Sequence, residues 1–301
     1  MWKRESRVVI SLDEYFRLKY TRDKEVVTLN TSKSSVKAVT FDLWETLLFE
    51  KNGWNLRRTN ARCESIANTL STFGIKISAE QLALAFEKMS SWLESVWRIN
   101  SEVTHLDQIR FIIKTASNGL ITIKEEWIDD LSSAYVSPFF KVAPYLNPEA
   151  SKVLQWLKDR NKLVGLICNT GLTPGFGLRR FLVRESLAEY FDLMLFSDEV
   201  RIRKPNPKMF QIATRRLKVK PYEIVHVGDN LKSDVWGAKN SGFKVIYLST
   251  EVGRDRIAES DPASLVSISR KINNLSEDQI VPDKTIGSLG MAIKAIQEFD
   301  T

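Results

Sequence analysis

Cysteine is nearly missing from this chain: Cys63 and Cys168 are the two in 301 residues. Two thiols supply neither a disulfide framework nor a cysteine-type zinc site, and they fit a reducing cytosol. Histidine is as scarce. His226 sits inside an apolar run and reads as a packed core residue, and His105 has no acidic or cysteine neighbours at ligand spacing. Long apolar runs are missing too. Val8 to Ile10 is too short for a signal-peptide core, and no stretch approaches the roughly 18 residues a membrane span needs. The expectation is a cytoplasmic protein with no membrane partner. A dinucleotide loop is excluded as well, because Gly175-Phe176-Gly177 lacks its third glycine and follows Pro174, an ordinary helix start.

Acidic charge is in deficit, with 37 Asp and Glu against 44 Lys and Arg, a net charge of +7 and a pI near 9.3. The bases are spread along the chain with acids between them, and the densest cluster is Arg201, Arg203, Lys204 and Lys208. This reads as a solvated basic surface, and an anionic substrate benefits from such a field. Nucleic acid is not expected as a partner. A hydrophobic share of 43% and a charged share of 27% suit an ordinary globular protein, long enough for one large domain or two modest ones.

Five short β-branched or apolar runs read as buried strands: Val36 to Phe41, Leu163 to Cys168, Asp192 to Phe196, Ile224 to Val227, and Lys244 to Leu248. Helical segments alternate with them at Glu149 to Lys158, Pro174 to Leu187, Pro207 to Leu217 and Lys232 to Asn240. The last is closed by Gly242. Strand–helix alternation predicts a three-layer α/β fold, a Rossmann-like parallel sheet with helices on both faces. Between the first two strands the pattern is helical instead, with Ile66, Leu70 and Phe73, then Leu82, Phe86, Met89 and Leu93, then Ile109, Ile112 and Ile113. The expected organisation is therefore a core of residues 36–50 and 146–250, a helical cap of residues 51–145, and extensions at 1–35 and 251–301. A lid explains so large an insertion better than a loop does. The first extension holds a possible short helix near Leu12 to Leu18. The second ends in an amphipathic stretch, Ile286 to Phe299, with Leu289, Ala292, Ile293 and Ile296 on one face, suited to core packing or a dimer contact.

In open parallel sheets, ligands sit beyond the carboxyl ends of the strands. The strand ends here lead into Asp42, then Cys168-Asn169-Thr170, then Ser197-Asp198-Glu199 with Lys204 beyond, then Gly228-Asp229 with Asp234 beyond. Three carboxylates and a lysine gathered at one rim repel unless a cation joins them, and Mg²⁺ fits that oxygen-rich set. Singly, each signal is weak: an Asp after a strand can cap a turn, and Gly-Asp-Asn is a common turn sequence.

In this order the motifs resemble the haloacid dehalogenase superfamily over residues of about 36 to 250. Asp42 and Thr46 match its first motif, Cys168 followed by Asn169 its second, Lys204 its third, and Gly228, Asp229 and Asp234 its fourth. The insertion after the first motif looks like the helical cap of the subgroup containing haloacid dehalogenases and many small-molecule phosphatases. The resemblance implies a hydrolase in which Asp42 attacks as nucleophile and Lys204 offsets its charge. It implies phosphate binding by Cys168, Asn169, Thr170 and Lys204, through backbone N–H groups near Asn169 and Thr170. It also implies Mg²⁺ on Asp42, the Trp44 backbone carbonyl, Asp229 and Asp234.

The chain departs from that pattern in two places. The family's phosphatases carry a second Asp, a general acid, two residues after the nucleophile, and here that residue is Trp44. An indole has no titratable proton near neutral pH, and Glu45 is expected to point elsewhere. Cys168 replaces a hydroxyl with a weaker hydrogen-bond donor. The expectation is a Mg²⁺-dependent phosphatase of a small phosphorylated metabolite. Carbon–halogen hydrolysis is an alternative, because an aromatic two residues after the nucleophile is reminiscent of the dehalogenases. A weakly active or non-catalytic binding protein is a further one. Substrate choice is expected to rest on cap side chains such as Trp54, Arg57, Arg58 and Trp92. Arg57 and Arg58 suit an anionic substrate, with exposed helix arginines as the plainer reading.

Overall fold

The computed structural model describes residues 35–249 and 279–300. The possible helix near Leu12 to Leu18 lies outside them. At the centre is strand β1 (Ala38–Phe41), buried at all four positions because it is paired on both edges and covered on both faces. A strand covered on both faces has no reason to alternate, which is why Ala-Val-Thr-Phe reads as a continuous run. A short strand β2 (Leu48–Phe49) comes next. It pairs antiparallel with β3 (Tyr145–Leu146), so a small ribbon marks where the chain leaves for the helical insertion and returns. The remaining strands are β4 (Leu163–Cys168), β5 (Leu193–Phe196), β6 (Ile224–Gly228), β7 (Lys244–Leu248) and β8 (Lys284–Ile286). Together with β1 they form a six-stranded sheet in the order β5-β4-β1-β6-β7-β8, and every described pairing is parallel.

Register decides where the chemistry gathers. Phe41 lies opposite Leu166 on one side and Val227 on the other, so β1, β4 and β6 end at one rim. The Asp42 N–H continues the ladder by donating to the Val227 carbonyl at 2.9 Å.

Helices Ala150–Lys158, Gly175–Arg184 and Ala292–Asp300 cover one face of the sheet, burying Leu154, Leu157, Phe181, Leu182 and Ile296. Helix Pro207–Leu217 and the turn of π-helix and α-helix from Leu231 to Lys239 cover the other, through Met209, Phe210, Val235 and Ala238. These are the three layers the alternation predicted. The stretch Ile286 to Phe299 is not one helix: Ile286 ends β8, and the helix begins at Ala292 after a 3₁₀ turn at Leu289–Met291. Its apolar face packs into the sheet core, with Leu289, Ala292 and Ile296 buried, so core packing accounts for the stripe.

The insertion is made of helices Trp54–Thr72, Ala79–Arg98, His105–Ala116 and Ile128–Lys141. It has its own apolar cluster, including Ile66, Leu70, Phe86, Leu93, Ile109 and Ile113. Two of its helices start at reciprocal caps, Ser78 with Gln81 and Thr104 with Asp107, which satisfy N–H groups that a helix start otherwise leaves bare.

Candidate active site

Asp42 comes directly after β1 and is 7% exposed. Lys204 reaches it from the loop after β5, and its Nζ donates to Asp42 Oδ1 at 2.5 Å and to Asp234 Oδ1 at 2.6 Å. Asn169, just past β4, fixes that loop from both sides: its Oδ1 accepts from the Lys204 N–H at 2.7 Å and its Nδ2 donates to the Lys204 carbonyl at 2.9 Å. Asp234 is fully buried behind the lysine, with Oδ1 also near His226 Nε2 at 3.2 Å and Oδ2 accepting from the Asn230 N–H at 3.0 Å. His226 is a packed core residue, as expected, held on its other nitrogen by Thr40 Oγ1 at 2.9 Å. Gly228 is required at the end of β6, since a Cβ there would lie 2.5 Å from Asp234 Cγ. Asp229 comes next at the rim, and carboxylate oxygens of Asp42, Asp229 and Asp234 lie within 4.8 Å of one another.

Asp42, Asn169, Lys204 and Asp229 form the floor of a cavity of about 120 Å³, with Asp234 buried behind Lys204 and not in the lining. Its walls include Trp44 and Glu45 from the loop after β1, and Asn55, Arg58, Arg62 and Trp97 from the insertion. Trp44 meets Phe139 edge to face, with centroids 6.3 Å apart. Glu45 does not point elsewhere. Its left-handed backbone, at φ 56°, accompanies a side chain that is 7% exposed and lines the cavity.

The family of haloacid dehalogenase-like hydrolases matches residues 36–242, from just before β1 to just before β7. The chain belongs to that family. Over 216 residues this hydrolase is 28% identical to a glyceraldehyde 3-phosphate phosphatase of Methanopyrus kandleri, covering 71% of this chain and 84% of that protein. A second phosphatase of that name, from Pyrococcus furiosus, is 36% identical over 102 residues, a match that spans 33% of this chain and only 40% of that enzyme. The crystal structure of a 2-haloacid dehalogenase from Pseudomonas syringae pv. tomato shares the fold. Its TM-score is 0.61 at 20% identity, over 88% of this chain and 99% of that one.

Not every expected residue of the hydrolase faces the cavity. Cys168 is fully buried in the apolar core and is absent from the wall, and burial, then the Asp42 charge, pushes its thiol well above the usual range. Thr170 lines the cavity, but its N–H donates to Ser197 Oγ at 2.8 Å and its hydroxyl meets the same oxygen at 3.0 Å. Both groups are spent on the scaffold rather than turned to a ligand. Of the cap side chains expected to choose the substrate, only Arg58 reaches the wall. Arg57 is exposed, Trp54 sits edge-on to Tyr145, and Trp92 stacks on Phe111.

A buried network that the sequence does not signal ties the insertion to the core. Glu102 Oε1 accepts from Trp97 Nε1 at 2.7 Å, and its Oε2 accepts from Ser197 Oγ at 2.7 Å and from Arg203 Nη1. Arg203 lies over the Trp97 ring, 4.1 Å from its centroid, and donates to the Thr170 carbonyl at 3.2 Å. Arg62 does have a signal in the sequence: counting by fours from Leu70 and Ile66 toward the helix start lands on Arg62 and Arg58, two arginines on an otherwise apolar stripe.

One ammonium serves two buried carboxylates, and they share it unequally. Burial opposes ionisation of Asp234, but Lys204 and His226 outweigh it and hold its carboxyl low. Burial pushes Asp42 up; Lys204 pulls against that, while the Asp234 charge adds to it. Burial alone would weaken the lysine's hold on its proton, yet Asp234 and Asp42 together raise its pKa. The 2.5 Å ion pair and the raised Asp42 pKa look contradictory, and the shared partner reconciles them. A floor with a third carboxylate, Asp229, beside that pair suits a hard cation with oxygen ligands. The donor set therefore fits the divalent ion that the motifs imply.

Proposed function

We propose that this hydrolase is a Mg²⁺-dependent phosphatase of small phosphorylated metabolites, working through a phosphoryl adduct on Asp42. The observation that carries the reading is the convergence of three carboxylates beside a buried lysine, at the strand ends of a hydrolase fold. Asp42, Asp229 and the Trp44 carbonyl would hold the ion, with Asp234 behind them. Once bound, it would supply positive charge beside the transferring phosphoryl group.

The chain's own groups account for the rest. The Asp42 carboxylate attacks phosphorus, and the bond from phosphorus to the ester oxygen breaks. Trp44 has no proton to give, so the departing oxygen takes one from water in the cavity. A second water then attacks phosphorus, the bond to Asp42 breaks, and the carboxylate returns with release of inorganic phosphate. Lys204 stays charged throughout and holds Asp42 in line. Residues 51–145 act as the cap, closing the cavity with Arg58, Arg62 and Trp97 and limiting access of bulk water.

The test is phosphate release from a panel of esters with Mg²⁺ and with a chelator. Without the usual acid, aryl phosphates should turn over about 10²–10⁴ faster than alkyl phosphates, the range that general acid help is worth. Equal rates on both, falling for alkyl esters alone in Glu45→Gln, would instead assign the proton to Glu45. No turnover on any ester would defeat the reading. Trp44 favours carbon–halogen hydrolysis as a second reading, and halide release from 2-haloacids under metal-free conditions tests it.

A further inference from the structure

The insertion contributes four polar or aromatic side chains to the cavity, and Arg62 differs from the others. It is 1% exposed, yet no carboxylate among the described residues lies within ion-pair reach of it. Its Nε donates to the Tyr135 carbonyl at 3.0 Å and its Nη2 to Thr173 Oγ1 at 3.1 Å. Nη1 makes no hydrogen bond among the described residues, and the guanidinium lies 5.2 Å from the centre of the Tyr135 ring. The neighbouring arginines are placed otherwise: Arg58 is paired with Glu50 and Arg203 with Glu102. Glu50 acts on Arg62 only from a distance, after Arg58 has used it.

A buried guanidinium without a counter-charge is expensive to keep, and such groups are normally paired. Burial lowers its pKa to about 10, which still leaves it fully charged near neutral pH. Three fixed contacts hold its plane, so the remaining donor edge is set in position before any ligand arrives. Lys204 already provides the cation beside Asp42, so a second one lining the same cavity calls for a second anion.

Resting on the phosphatase reading above, we propose that Arg62 anchors a second anionic group of the substrate. The preferred substrates are then small phosphomonoesters that also carry a carboxylate or a second phosphate. Thr173 and the Tyr135 carbonyl act as positioning partners that aim the guanidinium.

The experiment uses non-hydrolysable phosphonates, so it does not depend on turnover. Calorimetry in the presence of Mg²⁺ compares ethylphosphonate, 3-phosphonopropionate and ethane-1,2-bisphosphonate on the full chain, on Arg62→Gln and on Arg62→Lys. In the unaltered protein, at least one two-anion ligand should bind tenfold or more tighter than ethylphosphonate. The carboxylate and bisphosphonate arms report which second anion is preferred. Arg62→Gln should erase that advantage and change ethylphosphonate binding less than twofold, and Arg62→Lys should keep part of it. Equal binding of all three ligands by the unaltered protein overturns the proposal whether or not the variants fold. Equal weakening of every ligand by Arg62→Gln also overturns it, because Arg62 would then grip the transferring group. Failure of the phosphatase reading shows separately, as an absence of phosphate release from every ester.

Discussion

At the floor of the cavity, Asp42 shares the Lys204 ammonium with Asp234 buried behind it, whereas on the wall Arg62 has a guanidinium and no carboxylate among the described residues. The floor is built by short turns at the ends of β1, β5 and β6, where register forces acidic side chains together. Arg62 reaches the wall from one face of the helix Trp54–Thr72, where arginines occupy places that apolar residues hold two turns later. The floor gathers carboxylates around one ammonium, and in the wall Arg62 is a buried cation with no carboxylate partner among the described residues. On the proposed reading, a cation joins the carboxylates and a two-anion ligand reaches from there to Arg62.

The largest expected effect comes from removing the shared charge. Lys204→Met leaves two buried carboxylates facing each other and should cost about 3–5 kcal/mol, as broken buried pairs do. Urea unfolding at several pH values checks this. Without the ammonium, both carboxyls have folded pKa values above their unfolded ones, so the folded state binds more protons and the variant should gain stability as pH falls. Adding Mg²⁺ at a hundred times its dissociation constant should stabilise the unaltered protein by about 2.7 kcal/mol. That gain should vanish in Asp229→Asn, and thermal unfolding with and without the ion is the readout. If Asp229→Asn keeps the full gain, the floor is not the cation site.

Gly228→Ala probes the same contrast at a smaller scale. Its Cβ would press on Asp234, so an overpacking cost of about 1–3 kcal/mol is expected, with a loss of activity as Asp234 and then Lys204 are displaced. The smallest effect belongs to a helix cap of the insertion that does not line the cavity. Ser78→Ala removes a helix cap and should cost about 1 kcal/mol with kcat unchanged, measured by urea unfolding alongside phosphate release. A large change in kcat there would mean that the insertion acts on the chemistry through more than the side chains that line the cavity.

How much of this was legible in the sequence depended on the distance over which each feature is determined. The central strands and their acids were readable because a covered parallel strand is a continuous apolar run, and the residue just past its end must sit at the rim. Strand β8 was not, being three residues long with Ile286 read as part of the adjoining helix. Cys168 matched its motif by position, but its place in the apolar core depends on packing from Leu178 and Phe196, which spacing does not encode. The Glu102 network joins residues about a hundred positions apart, and nothing local distinguishes Glu102 from a solvated acid. Arg62 lies between these cases, since its stripe is visible by counting in fours but its lack of a partner is not.

Everything proposed for the cavity depends on Asp42 being the attacking carboxylate of a metal-assisted phosphatase, and trapping the adduct addresses that point without intermediaries. An active ester is mixed with the protein for a single turnover, quenched in acid, and the peptide carrying residue 42 is examined by mass spectrometry. A phosphoryl adduct is expected on Asp42 with Mg²⁺ present, and it should be lost both with a chelator and in Asp42→Asn, together with phosphate release. Undiminished phosphate release by Asp42→Asn, with no adduct on the unaltered protein, would show that Asp42 is not the nucleophile.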